Sequence, residues 1–302
     1  MLRFAASRMP LDVPNARSLH GRPIPRIGGI GILASLAICA AADIIPFAPP
    51  LLVAFALGAL SLIDDFSHLP VVLRLGAHFT AAALITWYVL APMNPLELAL
   101  IVLAIAWITN LFNFMDGSDG FAGGMALIGF ATYALAAWLA GDREVALLCL
   151  AIAGAAAGFL LYNFPPASVF LGDAGSIPLG FLAAAIGITG WRNDLWPLWF
   201  PLLVFAPFIG DATLTLLKRA LRRKRVWQAH REHYYQRLVQ MGLGHRGTAA
   251  VGYAVMLLCA AAALYGRNRG FILQMSVLCS AFVVLATLAA WIDLRWRRHT
   301  RP

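Results

Sequence analysis

From residue 27 onward the chain is a succession of long apolar runs, interrupted by turn residues or charges. Runs at 27–47, 49–63, 71–90, 96–112, 120–140, 144–162, 175–190, 195–217, 248–266 and 270–291 read as spans, since a bilayer-crossing helix takes about 20 apolar residues. The pattern predicts an all-α polytopic membrane protein with about ten transmembrane helices. The run at 49–63 is short, so Pro49 and Pro50 are expected in the headgroup region. No internal repeat, low-complexity stretch or soluble linker is visible, and residues 1–302 read as one integral membrane domain.

Composition strengthens this picture. Of 302 residues, 61% are hydrophobic and 12% charged, against about 45–50% and about 25% in soluble domains. A soluble globular fold is excluded. The net charge of +9 would suit nucleic acid, but the cations sit in loops between spans. With alternate loops assigned to alternate sides, 19 of the 23 Lys and Arg fall on one side, among them Arg74, Lys218 to Arg246 and Arg295 to Arg301. Cytoplasmic loops collect such residues, so both termini are expected in the cytoplasm, with membrane lipids and no nucleic acid as partners. Cys39, Cys149, Cys259 and Cys279 lie inside apolar runs without metal-site spacing and are expected to be buried hydrophobes. The first apolar run leads into further spans, which is not the pattern of a cleaved leader.

The acids carry the chemistry. Asp64, Asp65, Asp116, Asp119, Asp173 and Asp211 fall at the cytoplasmic ends of predicted spans, although carboxylates beside apolar runs are costly. Asp64 and Asp65 are adjacent like charges, which favours a cation, a shared proton or a base role. Asn110, Asn113 and Asp116 recur at one helical turn and give a polar stripe, which Gly117 and Gly120 follow before the next span. The stretch Gly172-Asp173-Ala-Gly175-Ser176 opens the seventh span, where helix N-terminal amides attract phosphate. Asp173 can hold a cation there, while Ser176 either caps the helix or donates to an oxyanion. The basic loop from Lys218 to Arg237 brings His230, His233 and forked Arg donors to the same side. Four of its cations, Arg222 to Arg225, read as an ordinary positive-inside loop. His20, His68, His78, His245 and His299 read as surface or packing residues, and Asp43, Glu97, Asp142, Glu144 and Asp194 as acids of the opposite side.

Clustered acids, a helix N-terminus and basic donors at headgroup height suit a reaction between a nucleotide diphosphate and a membrane-embedded phosphate. Asp12-Val-Pro-Asn-Ala-Arg17-Ser-Leu-His20, Pro25-Arg26-Ile-Gly28-Gly29, Asp64-Asp65, Asn110-x-x-Asn113-Phe-Met-Asp116-Gly-x-Asp119-Gly, Gly172-Asp173-x-Gly-Ser176 and the His/Arg loop together resemble the polyprenyl-phosphate N-acetylhexosamine-1-phosphate transferases, glycosyltransferase family 4. The resemblance runs from about residue 12 to 247, and is nearer to bacterial enzymes that begin O-antigen or other surface glycans than to the peptidoglycan precursor transferase.

This resemblance implies that undecaprenyl phosphate attacks the β-phosphate of a UDP-N-acetyl sugar and releases UMP, with Mg²⁺ required and Mn²⁺ able to substitute. It implies that Asp173 is a metal ligand, that Asp64 and Asp65 serve the lipid phosphate or the metal, and that Asn113, Asp116 and Asp119 shape the nucleotide pocket. Asn163 and Phe170 are suited to uracil, the ring offering a stacking face, and His230, His233 and Arg237 to the diphosphate. It further implies the bacterial inner membrane and admits a homo-oligomer. Two features depart from the family. Only eleven residues precede Asp12, where relatives usually carry another span, and His230-Arg-Glu-His233-Tyr replaces a closer histidine cluster. A transporter and a non-catalytic membrane partner are the competing readings. Transporters place their binding groups near the midplane of repeated halves, a pattern this chain lacks.

Overall fold

The computed structural model describes residues 10–14, 19, 21–46, 48–67, 69–226, 228 and 230–300. Arg17, His20 and His68, which the sequence analysis singled out, lie outside them. A two-residue antiparallel ladder, β1 (Leu11–Asp12) with β2 (Ile24–Pro25), precedes the helices. The helices are α1 (Gly28–Ala41), α2 (Pro49–Ser67), α3 (Val71–Leu90), α4 (Pro95–Phe114), α5 (Phe121–Ala140), α6 (Arg143–Asn163) and α7 (Asp173–Arg192). Then come α8 (Trp199–Val204), α9 (Ala206–Leu221), the short α10 (Tyr234–Leu238), a π-helical turn over Val239–Leu243, α11 (Gly244–Gly266) and α12 (Phe271–His299).

All ten predicted runs are helical, and among the described residues eight helices are long and apolar enough to cross a membrane. Two differ from expectation. The first run yields only the 14 residues of α1, about 21 Å at 1.5 Å per residue. The run at 195–217 breaks at Phe205 into α8 and α9, where Pro207 enters the first turn of the new helix without an amide to extend the old one. Pro49 and Pro50 open α2. Local chemistry sets other starts: the Asn94 side chain accepts the Glu97 amide at 2.9 Å before α4, and Asp142 accepts the Val145 amide at 2.9 Å before α6.

The centre is α7, which packs against α1, α2, α3, α4, α5 and α8. Its most apolar stretch is 83% buried, whereas that of α12 is 0% buried. The outer helices present Ile38, Leu84, Trp87, Leu161 and Ile272 outward, as lipid-facing surfaces do. The chain is a multi-pass membrane protein. Cys149 and Cys259 are buried as expected, but Cys39 is only half-buried on α1 and Cys279 lies exposed on α12. Asp142, Glu144 and Arg192 line a cavity of about 380 Å³ with Pro46, Pro49 and Tyr88, so the ends of α3 and α7 and the starts of α2 and α6 share one face. The site described below lies at their other ends.

One contact fixes α1 against α7. The Gly28 amide donates to the Phe170 carbonyl at 2.9 Å and the Gly29 amide to the Leu171 carbonyl at 2.8 Å. A Cβ at Gly29 would stand 2.2 Å from the Gly175 nitrogen, so the two helix starts meet backbone to backbone. Gly29→Ala should therefore destabilise the fold by about 1–3 kcal/mol, read as a lower thermal unfolding midpoint in detergent. Gly31→Ala, at a position with open space around it, should leave the midpoint unchanged.

Candidate active site

Gly172, at φ +70, turns the chain into α7 and sets Asp173 in its first turn. Asn113, on the last turn of α4, donates one amide group to Asp173 Oδ1 at 2.9 Å and to Ser176 Oγ at 3.0 Å. Ser176 is thus an acceptor inside α7, and the expected side-chain cap is absent: the cap position is Gly172, which has no side chain. Arg74, from α3, donates to Asp64 Oδ2 at 2.8 Å and stands 3.8 Å from Asp173 Oδ2. Asp64 also accepts the Leu69 amide at 2.6 Å. One turn along α3, His78 Nδ1 lies 3.2 Å from Asn110 Oδ1. Over this group sits the β1–β2 hairpin, with Arg26 bound to Asp12 at 3.0 Å. Burial opposes the Arg26 charge, yet Asp12, Asp173 and Asp65 together hold its pKa above the ordinary value.

Five carboxylates (Asp12, Asp64, Asp65, Asp116 and Asp173) thus surround two guanidiniums. Removal from water, and then the neighbouring Asp173 charge, pushes Asp116 well above the usual carboxylate range against the opposing pull of Arg26 and the Gly172 amide. No group of three or more His, Cys, Asp or Glu side chains converges on a metal-sized point among the described residues. The donor set still fits a hard cation. Mg²⁺ is held by one or two carboxylates, with waters and substrate phosphates completing the shell, and the mutually repelling Asp116 and Asp173 offer such a pair. Arg74 Nε is buried without a hydrogen-bond partner, a donor open to an anion. Beside it an apolar groove of about 880 Å³ runs between α2 and α3, its site-side end formed by Leu60, Pro70 and Leu73.

The opposite flank is the loop 115–120. The Asn163 side chain is buried, accepting the Gly120 amide and donating to the Val169 carbonyl, each at 2.9 Å. Asp119 Oδ2 accepts the Ala167 amide at 2.9 Å, and His245 reaches Ser118 and Asp119. Phe170 is half-buried, its backbone amide bound to Pro25 and its carbonyl to Gly28. Asn163 therefore ties two loops together, and Phe170 joins them to the hairpin.

The basic loop closes the third side. Asp211 on α9 accepts the Tyr234 amide at 2.8 Å, the Tyr235 amide at 3.0 Å and faces His233 Nδ1 at 3.2 Å. Tyr235 donates to the Phe114 carbonyl at 3.1 Å, which seats α10 against the end of α4 and stacks His233 on Phe114. The ring of His230 lies 4.9 Å from that of His233. Burial, then the His233 and Arg219 charges, pushes His230 down to about 4. Arg237 is elsewhere. Its guanidinium donates to Asp293 on α12 at 2.7 Å and to the Glu232 carbonyl at 2.7 Å, and it is buried. Lys218 and Tyr234 bind the same Asp293 carboxylate, so these groups lock α12 to α9 and α10.

The structure thus gathers Asp64, Asp65, Asn113, Asp116, Asp173 and Ser176 into one cluster, with Asn110 joined to it through His78. It puts Asn163, Phe170 and Asp119 on one flank and His230 and His233 on another, and turns Arg237 away from the cluster into its buried contact with Asp293. Sequence reasoning did not assign Arg26, Arg74, His78, Tyr235, His245 or Asp293 a place here. The four-residue spacing of Arg74 and His78 near the start of a span is a signal that would have paired them.

A family model described as Glycosyl transferase family 4 matches residues 47–191. A Bacillus subtilis protein described as a probable undecaprenyl-phosphate N-acetylglucosaminyl 1-phosphate transferase is 27% identical, over 97% of this chain and 82% of its own. The decaprenyl-phosphate N-acetylglucosaminephosphotransferase of Mycobacterium tuberculosis is 28% identical over 83% of this chain and 74% of its own. A phospho-N-acetylmuramoyl-pentapeptide-transferase of Enterococcus hirae is 36% identical, over 47% of this chain and 44% of its own.

The His230 shift has a sign that can be measured. Its folded value of about 4 lies below the ordinary 6.5. Above pH 6.5 both states are neutral. As pH falls from 6.5 towards 4, the unfolded chain binds a proton that the fold refuses, so stability drops across that window. His230→Gln should flatten this part of the curve, measured as unfolding midpoint against pH.

Proposed function

The chain being of glycosyl transferase family 4, we propose that it transfers a sugar 1-phosphate from a UDP-N-acetylhexosamine to undecaprenyl phosphate, opening the synthesis of a cell-surface polysaccharide at the cytoplasmic face of the bacterial inner membrane. The acceptor phosphate oxygen attacks the β-phosphorus, the bond from that phosphorus to the α-phosphate's bridging oxygen breaks, and UMP leaves. The observation that carries this reading is the Asp173 cluster: acids, guanidiniums and a helix N-terminus collected at one end of the apolar spans, beside an apolar groove. Transporter chemistry has no comparable support, since the groups stand at helix ends.

Asp173 and Asp116 would hold Mg²⁺, which when bound supplies charge neutralisation across the two phosphates. The protein does the rest by position. Arg74, oriented by Asp64, turns its unpartnered Nε to the acceptor phosphate while the α2–α3 groove takes apolar chain. Asn113 fixes the Asp173 rotamer through its bond to the carboxylate. Arg26 offers a second guanidinium to the donor diphosphate. On this reading Asp64 acts mainly through Arg74, and a phosphate already ionised near neutral pH needs little help from a base.

Purified protein with Mg²⁺, undecaprenyl phosphate and a panel of UDP-N-acetylhexosamines should release UMP with at least one of them, read by coupled assay and by lipid-linked product. Asp173→Asn should abolish turnover while the protein still folds, and retained activity would remove it from the metal site. Arg74→Gln should raise KM for the lipid phosphate about ten- to a hundred-fold, with a smaller effect on KM for the sugar nucleotide.

A further inference from the structure

We propose that His245 is a positioning residue that holds the sugar-nucleotide flank of the site, the loops 115–120 and 164–169, against the N-terminal segment and α11. The inference rests on the transferase reading above. Sequence reasoning treats His245 as packing, but its contacts say more. Gly242 at φ +96 and Gly244 at φ +66 take left-handed conformations open chiefly to glycine. They swing the chain from the π-helical turn into α11, and His245 and Arg246 emerge at its first turn towards the site.

The tautomer follows from the partners. Asp119 donates its amide to His245 Nδ1 at 3.2 Å, and an amide can only donate, so Nδ1 is an unprotonated acceptor. The Ser118 hydroxyl, 3.0 Å from the same nitrogen, donates to it as well. The ring proton is then on Nε2, which faces the Leu19 carbonyl at 3.2 Å. One neutral tautomer satisfies these three contacts, with Asp119 Oδ1 standing off at 3.5 Å from the same Nδ1, and segments 226 residues apart meet on one ring.

The loops are tied on from there. With its amide held by His245, Asp119 accepts the Ala167 amide at 2.9 Å. Arg246 donates to the Pro165 carbonyl at 2.9 Å, and Tyr253 of α11 to the Gly120 carbonyl at 2.7 Å. Arg22 donates to the Ala167 carbonyl at 3.1 Å. The latch therefore grips the flank carrying Asp119, Asn163 and Phe170, whereas Asp64 and Arg74 lie on the other side of Asp173. Its loss is selective: donor binding suffers and acceptor binding does not.

The test uses the full-length protein in nanodiscs, with two readouts and three variants. Asn places an acceptor at the Nδ1 position and Gln a group at the Nε2 position. His245→Ala should raise KM for the sugar nucleotide about ten- to thirty-fold and leave KM for the lipid phosphate within about two-fold. Amide exchange in residues 118–121 and 167–169 should quicken about ten-fold or more. His245→Asn should restore both readouts towards wild type, and His245→Gln should not. Unchanged exchange in those two loops, an unchanged sugar-nucleotide KM, or rescue by Gln equal to that by Asn each overturns the proposal. If the wild type releases no UMP with any sugar nucleotide, the transferase reading fails, and the exchange pattern of the Asn and Gln variants alone decides whether His245 latches the loops. That pair also decides if the Ala variant does not fold.

Discussion

The backbone contact between Gly29 and Gly175 is the constraint on which the site depends. Helix axes ordinarily stand 8–10 Å apart because side chains intervene. Here a Cβ on Gly29 has no room, and the start of α1 settles against the start of α7. That contact carries the hairpin with Arg26 and Asp12 down over the amides of α7, and it aligns the 168–172 segment so that Gly172 can place Asp173. Without it the carboxylates that share Arg26 would stand apart, each solvated alone.

Charge is the second organising quantity. Placing five carboxylates around two guanidiniums at the edge of a low-dielectric slab is unfavourable, and the rise of Asp116 is the visible sign of it. The fold offsets part of this by hydrogen bonding three of the five to fixed donors, Asn113 to Asp173, the Leu69 amide to Asp64 and the Gly172 amide to Asp116, while Asp12 pairs with Arg26. The same environment that penalises the free acids strengthens their attraction for a divalent ion. Asp211 shows the contrasting use of an acid. Its oxygens take the amides that open α10, so its charge is spent on structure close to a site it does not enter.

Much of this was legible in the chain. Apolar run length gave the helices, and a polar residue in so apolar a context marks a place where its cost is offset, which is why Asn113, Asp116 and Asp173 stand out. Two kinds of feature were not legible. A proline break is visible as a residue, but whether the run bends or splits depends on neighbours, and 195–217 read as one span where Phe205 divides it. Side-chain pairings across long separations are equally hidden. Arg237 is separated by 56 residues from Asp293, and His245 by 126 from the Asp119 amide. An arginine in a basic loop next to histidines looks like a phosphate ligand until its partner on a distant helix is known.

The shortness of α1 has a consequence for the lipid around it. A helix of 14 residues reaches about 21 Å, while the hydrocarbon slab is about 30 Å thick. Acyl chains bordering its outward side, where Ile30 and Ile38 are exposed, must tilt or compress to avoid leaving polar backbone in oil. A bilayer that met this helix along its apolar length would thin beside it, and lipids with short acyl chains are then expected along that edge.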